Sequence, residues 1–217
     1  MFLLGHSCWS YLLSRATSRQ LKVDLPLYVA FLSGTLPDFD IYSQTLMGYP
    51  MHHTYTHSLL VLGPLSLGLA YRFHQLGVAF SIGLLSHLLT DAIVGSIPLL
   101  LPISTTEVGL GLGIPSLSDT VLEVGGLAVA LIYMFFNGDW KQLSHSNREG
   151  LKLSVPLFVV VSLTLLFAGD NNLHLISIAF SRKALTAISA GHIILLGMFA
   201  IGILQGLRTT HRKRHGQ

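Results

Sequence analysis

Residues 76–103 read LGVAFSIGLLSHLLTDAIVGSIPLLLPI, and the only titratable side chains among them are His87 and Asp91. A run this apolar either crosses a bilayer, which takes about 20 residues of helix, or fills the interior of a large soluble domain. Composition decides between the two. The chain is 51% hydrophobic and only 11% charged, whereas soluble domains carry about 25% charged residues. The mean hydropathy is +0.61. The sequence therefore predicts an all-α, polytopic integral membrane helical bundle.

Other runs repeat the pattern. Residues 153–169 carry no charge, and residues 184–207 carry only His192 as a titratable group. Residues 120–138 form a third candidate span with Glu123 near its start, and residues 58–73 form a shorter one interrupted by Pro64. Residues 2–14 and 25–36 are apolar but too short to span, and they predict re-entrant, interfacial or buried helices in the N-terminal third. Residues 104–119 are rich in Gly and Ser and read as a loop. Residues 137–152 read as a polar connection. The whole reads as one membrane domain, 1–217, in which 1–123 carry the polar residues, 124–207 are supporting transmembrane helices and 208–217 form a basic tail.

The start, MFLLGHSCWSYLLSR, has no basic segment ahead of its apolar run, so no cleavable signal peptide is expected. Lys141, Arg148 and Lys152 lie in one connection, and Arg208, Arg212, Lys213 and Arg214 lie in the tail. Two spans separate these clusters, so both can face the cytoplasm. Arg15, Arg19 and Lys22 suggest a further cytoplasmic loop, while Arg182 and Lys183 run against the pattern. The C-terminus is thus expected in the cytoplasm. The basic tail reads as an anchor on anionic lipid, and no nucleic-acid partner is expected.

Against this apolar background the first 123 residues gather rare polar groups. In SHLLTDA, His87 and Asp91 are four apart and share a helical face. An ionised carboxylate at the centre of a bilayer costs about 2.5–3.5 kcal/mol on insertion scales, so it needs a partner or a hydrated cavity. An Asp–His hydrogen bond tying helices together would satisfy it, and so would a bound ion. In LPDFD, Asp38 and Asp40 lie beside Pro37, where either could cap a helix or converge on a cation. In MHHTYTHS, His52, His53 and His57 precede an apolar run that Thr56 or Ser58 could cap. Neutral imidazole is a common ligand for zinc, iron and nickel. Asp119 and Glu123 again share one face. Cys8 is the only cysteine, so any metal must be held by His, Asp and Glu.

The blocks LSGTLPDFD, HHTYTHSLL and SHLLTDA resemble the signature of the YdjM-like or YbcI-like membrane-bound, metal-dependent hydrolases, also described as LexA-binding inner-membrane-associated hydrolases. The resemblance covers residues 1–103 well and the rest only as apolar helices. It matches Asp38 and Asp40 to the acid pair, His52 and His57 to the middle block, His87 and Asp91 to the third, and His6 to an N-terminal histidine. His53 and Thr54 depart from the Arg and Gly usual there, which bears on substrate preference.

Together with these residues, the resemblance implies a membrane-embedded hydrolase of the plasma (inner) membrane of a prokaryote, using a divalent metal, zinc first, with two or more ions possible. The metal ligands would be His6, Asp38, Asp40, His52, His57, His87 and Asp91. Glu123 and Asp40 are the catalytic candidates, Glu123 as ligand or general base. The expected substrate is a phosphoester of a lipid or lipid-linked molecule, and membrane lipid is the expected partner. An ion- or proton-coupled transporter and a membrane tether for a soluble regulator are the alternatives.

Overall fold

The computed structural model describes residues 3–40, 53–112, 116–144 and 182–215. It is helical throughout, and among the described residues the only β pairing is one bridge between Ile97 and Val108. Helix α1 spans Leu3–Gln20, α2 Leu27–Ser33, α3 Leu59–Val94, α4 Leu117–Phe136, α5 Trp140–Ser144 and α6 Arg182–His215. Two single 3-10 turns, Pro37–Asp40 and Tyr55–His57, lie between α2 and α3. By length and composition α3 and α4 can each cross a membrane.

Helix α3 is folded in two. His74 takes φ 52° and ψ −130°, which no helix accommodates. Ser81 Oγ donates to Ser66 O at 3.1 Å, although fifteen residues of straight helix would hold these groups about 22 Å apart. A Cβ on Gly77 would fall on the backbone of Leu69 and Ala70. The limbs 59–73 and 75–94 therefore run antiparallel in close contact. The chain that leaves the second limb returns to the first: Leu59 N donates to Leu99 O at 2.9 Å and Ser58 Oγ to Leu101 O at 2.6 Å. Ser58, not Thr56, is the helix cap, accepting from Leu60 N.

Two expectations change here. The segment expected to span from 76 to 103 stops being helical at Val94, because Gly95 and the Ile97–Val108 bridge take over its backbone bonds. The N-terminal third holds a longer helix than its apolar run suggested. Twelve residues of α1 are buried, and they include Ser7, Ser10, Ser14 and Ser18 at helical spacing. These small hydroxyl side chains let backbones approach closely. Ser10 Oγ donates to Ala30 O at 2.7 Å and lies 2.7 Å from Ser33 Oγ. A Cβ on Gly83 would meet Ser10, Ser14 and Ser33 at once, and one on Gly34 would meet Ser10 and the carbonyl of His6. Three helices thus meet along a seam of Ser and Gly.

The span expected at 184–207 lies within α6, whose apolar stretch is Ala190–Gln205. Gly191 of α6 packs against Leu4 of α1 and Leu127 of α4. The span expected at 153–169 lies outside the described residues.

Asp139 was expected in a solvated connection, and it is buried. Arg15 grips it with Nε–Oδ2 and Nη2–Oδ1 both at 2.9 Å, Tyr11 OH donates to Oδ2 at 2.9 Å, and Arg19 Nη2 donates to Oδ1 at 3.0 Å. Burial works to raise the Asp139 pKa, but the hydrogen bonds from Arg15 hold it below the usual carboxylate range. Arg15 and Arg19 thus pair with Asp139 and join α1 to the end of α4. Meanwhile large apolar side chains face outward, with Tyr71 87%, Leu67 73% and Phe136 82% exposed. Polar groups inside and apolar groups outside invert the arrangement of a soluble domain.

Candidate metal centre

The Ser/Gly seam sets four elements against one another at one level of the bundle. Helix α1 contributes His6, the turn after α2 contributes Asp38 and Asp40, the turn before α3 contributes His57, and the second limb of α3 contributes His87 and Asp91. All six are buried. His57 Nε2 and His87 Nε2 lie 2.9 Å apart. Asp38 Oδ1 is 3.5 Å from each of them. Asp91 Oδ2 lies 3.1 Å from His87 Nε2 and 3.5 Å from His57 Nε2. The other oxygen of Asp91, Oδ1, turns to His6 Nε2 at 3.2 Å. Donor atoms around a tetrahedral zinc, each about 2.0–2.1 Å from the ion, stand about 3.3 Å from one another. The distances from the two Nε2 atoms to Asp38 and Asp91 lie near that spacing.

The outer hydrogen bonds fix which nitrogen of each ring faces inward. His87 Nδ1 lies 2.7 Å from the carbonyl of Gly34, which can only accept, so Nδ1 carries a proton. Thr90 Oγ1 gives its one proton to the carbonyls of Ser86 and His87, so it accepts from His6 Nδ1 at 3.0 Å. Thr56 Oγ1 gives its proton to Asp40 Oδ2, so it accepts from His57 Nδ1 at 3.1 Å. All three neutral imidazoles therefore present an Nε2 lone pair to the same small space as two carboxylates. Lone pairs and carboxylate oxygens at these distances repel unless protons or a cation lie between them. Orientation of an imidazole through its distal N–H is how protein metal sites hold their histidines.

Burial works to raise the Asp38 pKa, yet the imidazoles of His87 and His6 hold it well below the carboxylate range. Burial works to lower the His57 pKa, and hydrogen bonds to Asp38 and Asp40 overcome it, lifting it to about 9. A proton on His57 or a cation among these side chains would each balance the carboxylates.

Among the described residues, three sets of side chains could hold an ion: His6, His87 and Asp91; Asp38, His57 and His87; and His53, His57 and Asp91. Of the expected ligands, His6, Asp38, His57, His87 and Asp91 come together. Asp40 sits behind His57, where its Oδ2 lies 3.4 Å from Nδ1 and helps orient the ring. His52 lies outside the described residues. Glu123 Oε2 accepts the Gly5 amide at 2.5 Å, one residue before His6. Glu123 and Asp119 do share a buried face, as their spacing predicts. Ser116, not Asp119, caps α4, with its hydroxyl accepting from Asp119 N.

Sequence reasoning missed Thr90, the Gly34 carbonyl and the inward role open to His53. His53 holds φ 59° and places its ring 4.8 Å from that of His57. Thr90, three residues after His87 on a buried face, was the one readable signal among them.

A model of the YdjM inner membrane protein family matches residues 1–173. The chain belongs to that family. The match covers all the buried His and Asp residues described above, and together with the two apolar helices it makes this YdjM-family chain a protein of the inner membrane. No curated protein and no solved structure matches the chain.

Proposed function

We propose that this YdjM-family protein is a membrane-embedded, metal-dependent hydrolase acting on a phosphoester of a lipid or lipid-linked molecule. The observation that carries the reading is the convergence of three Nε2 lone pairs on Asp38 and Asp91, with each Nδ1 proton pinned outward. His6, Asp38, His57, His87 and Asp91 would hold the metal, and their imidazole and carboxylate donors favour zinc. When bound, a divalent ion supplies Lewis acidity and a water acidic enough to lose its proton near neutral pH.

The chain's own residues do the rest. Thr56 and Asp40 orient His57, Gly34 orients His87, and Thr90 orients His6. Burial keeps bulk water from competing for the ligands. Glu123, buried against the amide of Gly5 next to His6, is the candidate for handling a proton during hydrolysis. The lipid character of the substrate is supported by the outward apolar faces of α3 and α4, from which a bilayer molecule can approach sideways. We place the basic C-terminal end in the cytoplasm, on the Lys and Arg distribution.

The test is direct. Full-length protein purified in detergent is expected to carry zinc by elemental analysis. It is expected to release headgroup or phosphate from mixed micelles of defined phospholipids, and both properties should vanish in His57→Ala. Stoichiometric metal with no ester turnover across zwitterionic, anionic and polyprenyl phosphate substrates would sink the hydrolase reading and leave a metal-binding membrane protein.

A further inference from the structure

Among the described candidate ligands His53 alone is half-buried, and His6, Asp38, His57, His87 and Asp91 are buried. His53 forms a set with His57 and Asp91, in which one ligand atom from each residue lies within 4.8 Å of the other two. Its ring meets that of His57 edge-on, with 4.8 Å between centroids and 62° between planes. Its backbone holds φ 59°. Residues with a side chain rarely adopt that left-handed conformation, and those that do collect at ligand clamps and active sites.

The three candidate sets are not equivalent. The set of His6, His87 and Asp91 and the set of His53, His57 and Asp91 have only Asp91 in common. Asp91 reaches both: Oδ1 lies 3.2 Å from His6 Nε2, and Oδ2 lies 3.1 Å from His87 Nε2 and 3.5 Å from His57 Nε2. Asp38 stands between the same two sets, with Oδ1 3.5 Å from Nε2 of both His57 and His87. Four imidazoles can therefore serve two ions in pairs, with the carboxylates between them. Two-ion centres hold their ions about 3.5–4 Å apart, a separation that a shared carboxylate can bridge.

We propose that the centre holds two divalent cations of unequal access: an inner one on His6, His87 and Asp91, and an outer, exchangeable one on His53, His57 and Asp91. The proposal rests on the metal-centre reading above and extends it to His53 as a ligand. The inner set is wholly buried, so its ion exchanges slowly. The outer set has one partly exposed ligand, and its ion keeps a coordination position on that side for an anionic phosphate oxygen. Three protein ligands and one open position are the arrangement of a catalytic ion.

Cobalt is the probe, since imidazole and carboxylate sites accept Co²⁺ as well as Zn²⁺. Full-length protein in detergent is stripped with chelator, reloaded with Co²⁺ alone, and followed by elemental analysis, visible absorption and the rate of release to a chelator. The wild type is expected to hold two ions and to release them in a fast and a slow phase. His53→Gly and His53→Asn both accept a left-handed backbone, so each removes the ligand without straining the chain. Each is expected to hold one ion and to release it in the slow phase alone. Outer-site affinity should fall by more than about 100-fold, since even an orienting partner is worth about 10–100-fold. Inorganic phosphate should shift the absorption of the wild type and leave that of the variants unchanged.

If the wild type holds one ion, or if the variants match it in ion count and release, the outer site is wrong and the buried centre stands. If phosphate shifts the variants as it shifts the wild type, the open position does not belong to the His53 ion and the proposal is overturned. If the wild type holds no ion, the underlying reading falls with it. If both variants fail to fold when stripped and the stripped wild type folds, His53 is structural and the proposal is overturned.

Discussion

His57 Nε2 and His87 Nε2 face each other at 2.9 Å while their Nδ1 atoms hydrogen-bond in opposite directions, to Thr56 and to the Gly34 carbonyl. Two imidazoles from different elements are held nose to nose by partners behind them. A single shared proton can relieve that contact, and so can a metal ion, and the two compete.

That competition sets a pH dependence. With no metal, the His57 pKa is raised to about 9, so binding at neutral pH must expel a proton. Affinity for Zn²⁺ should rise about tenfold per pH unit from pH 6 up to about pH 9 and then flatten, as expected for one proton displaced per ion. Competition with a chromophoric chelator across that range checks it. A pH-independent affinity between 6 and 8 would show that His57 does not bind the ion.

Thr90→Val keeps the shape of the side chain but removes the acceptor for His6 Nδ1. Loss of such an orienting partner costs about 10–100-fold in metal affinity. The effect should appear by metal titration, with little change in thermal stability of the metal-free protein.

Gly34→Ala tests the seam. The new methyl would collide with the Ser10 side chain and the His6 carbonyl, and its own carbonyl is the His87 partner. Overpacking of this kind costs about 1–3 kcal/mol, read as a lower unfolding temperature in detergent. Metal affinity should fall along with it, because His6, Gly34 and His87 shift together.

Asp139→Asn leaves the buried Arg15 with only the exposed Asp24, 3.4 Å from its Nη1, as a carboxylate partner. Breaking a buried pair from one side costs about 3–5 kcal/mol. The folded pKa of Asp139 is depressed, so its contribution is present above the unfolded value of about 3.9 and is lost as pH falls through the folded value. Wild type should therefore lose stability in acid below about pH 4, and Asp139→Asn should lose less over the same range. Thermal unfolding across pH 3–7 compares the two.

Much of the centre was legible in the sequence because its residues break apolar runs. His87 and Asp91 interrupt a stretch with no other titratable group, and their four-residue spacing already put them on one face. The acid pair after Pro37 and the histidines before Ser58 stood out for the same reason. The supports were harder to read. Gly34 acts through its carbonyl, which no side-chain pattern reveals, and Thr90 is marked only by its spacing from His87. Asp139 reads as a connection residue because its partner Arg15 lies far away in sequence. The serines of α1 carried a helical period that hydrophobicity alone hides, which is why that helix looked shorter than it is. The reversal at His74 left only the meeting of two apolar segments as its trace.

That reversal at His74 has a topological consequence. Whether its limbs traverse the bilayer fully or dip into it and return, residues 58 and 95 must emerge into the same compartment. The odd or even count of crossings for everything downstream is fixed without reference to how deeply the hairpin reaches. A reporter placed at residue 53 and another at residue 105 should answer identically to a membrane-impermeant reagent, while a reporter at Gln75 is free to answer differently.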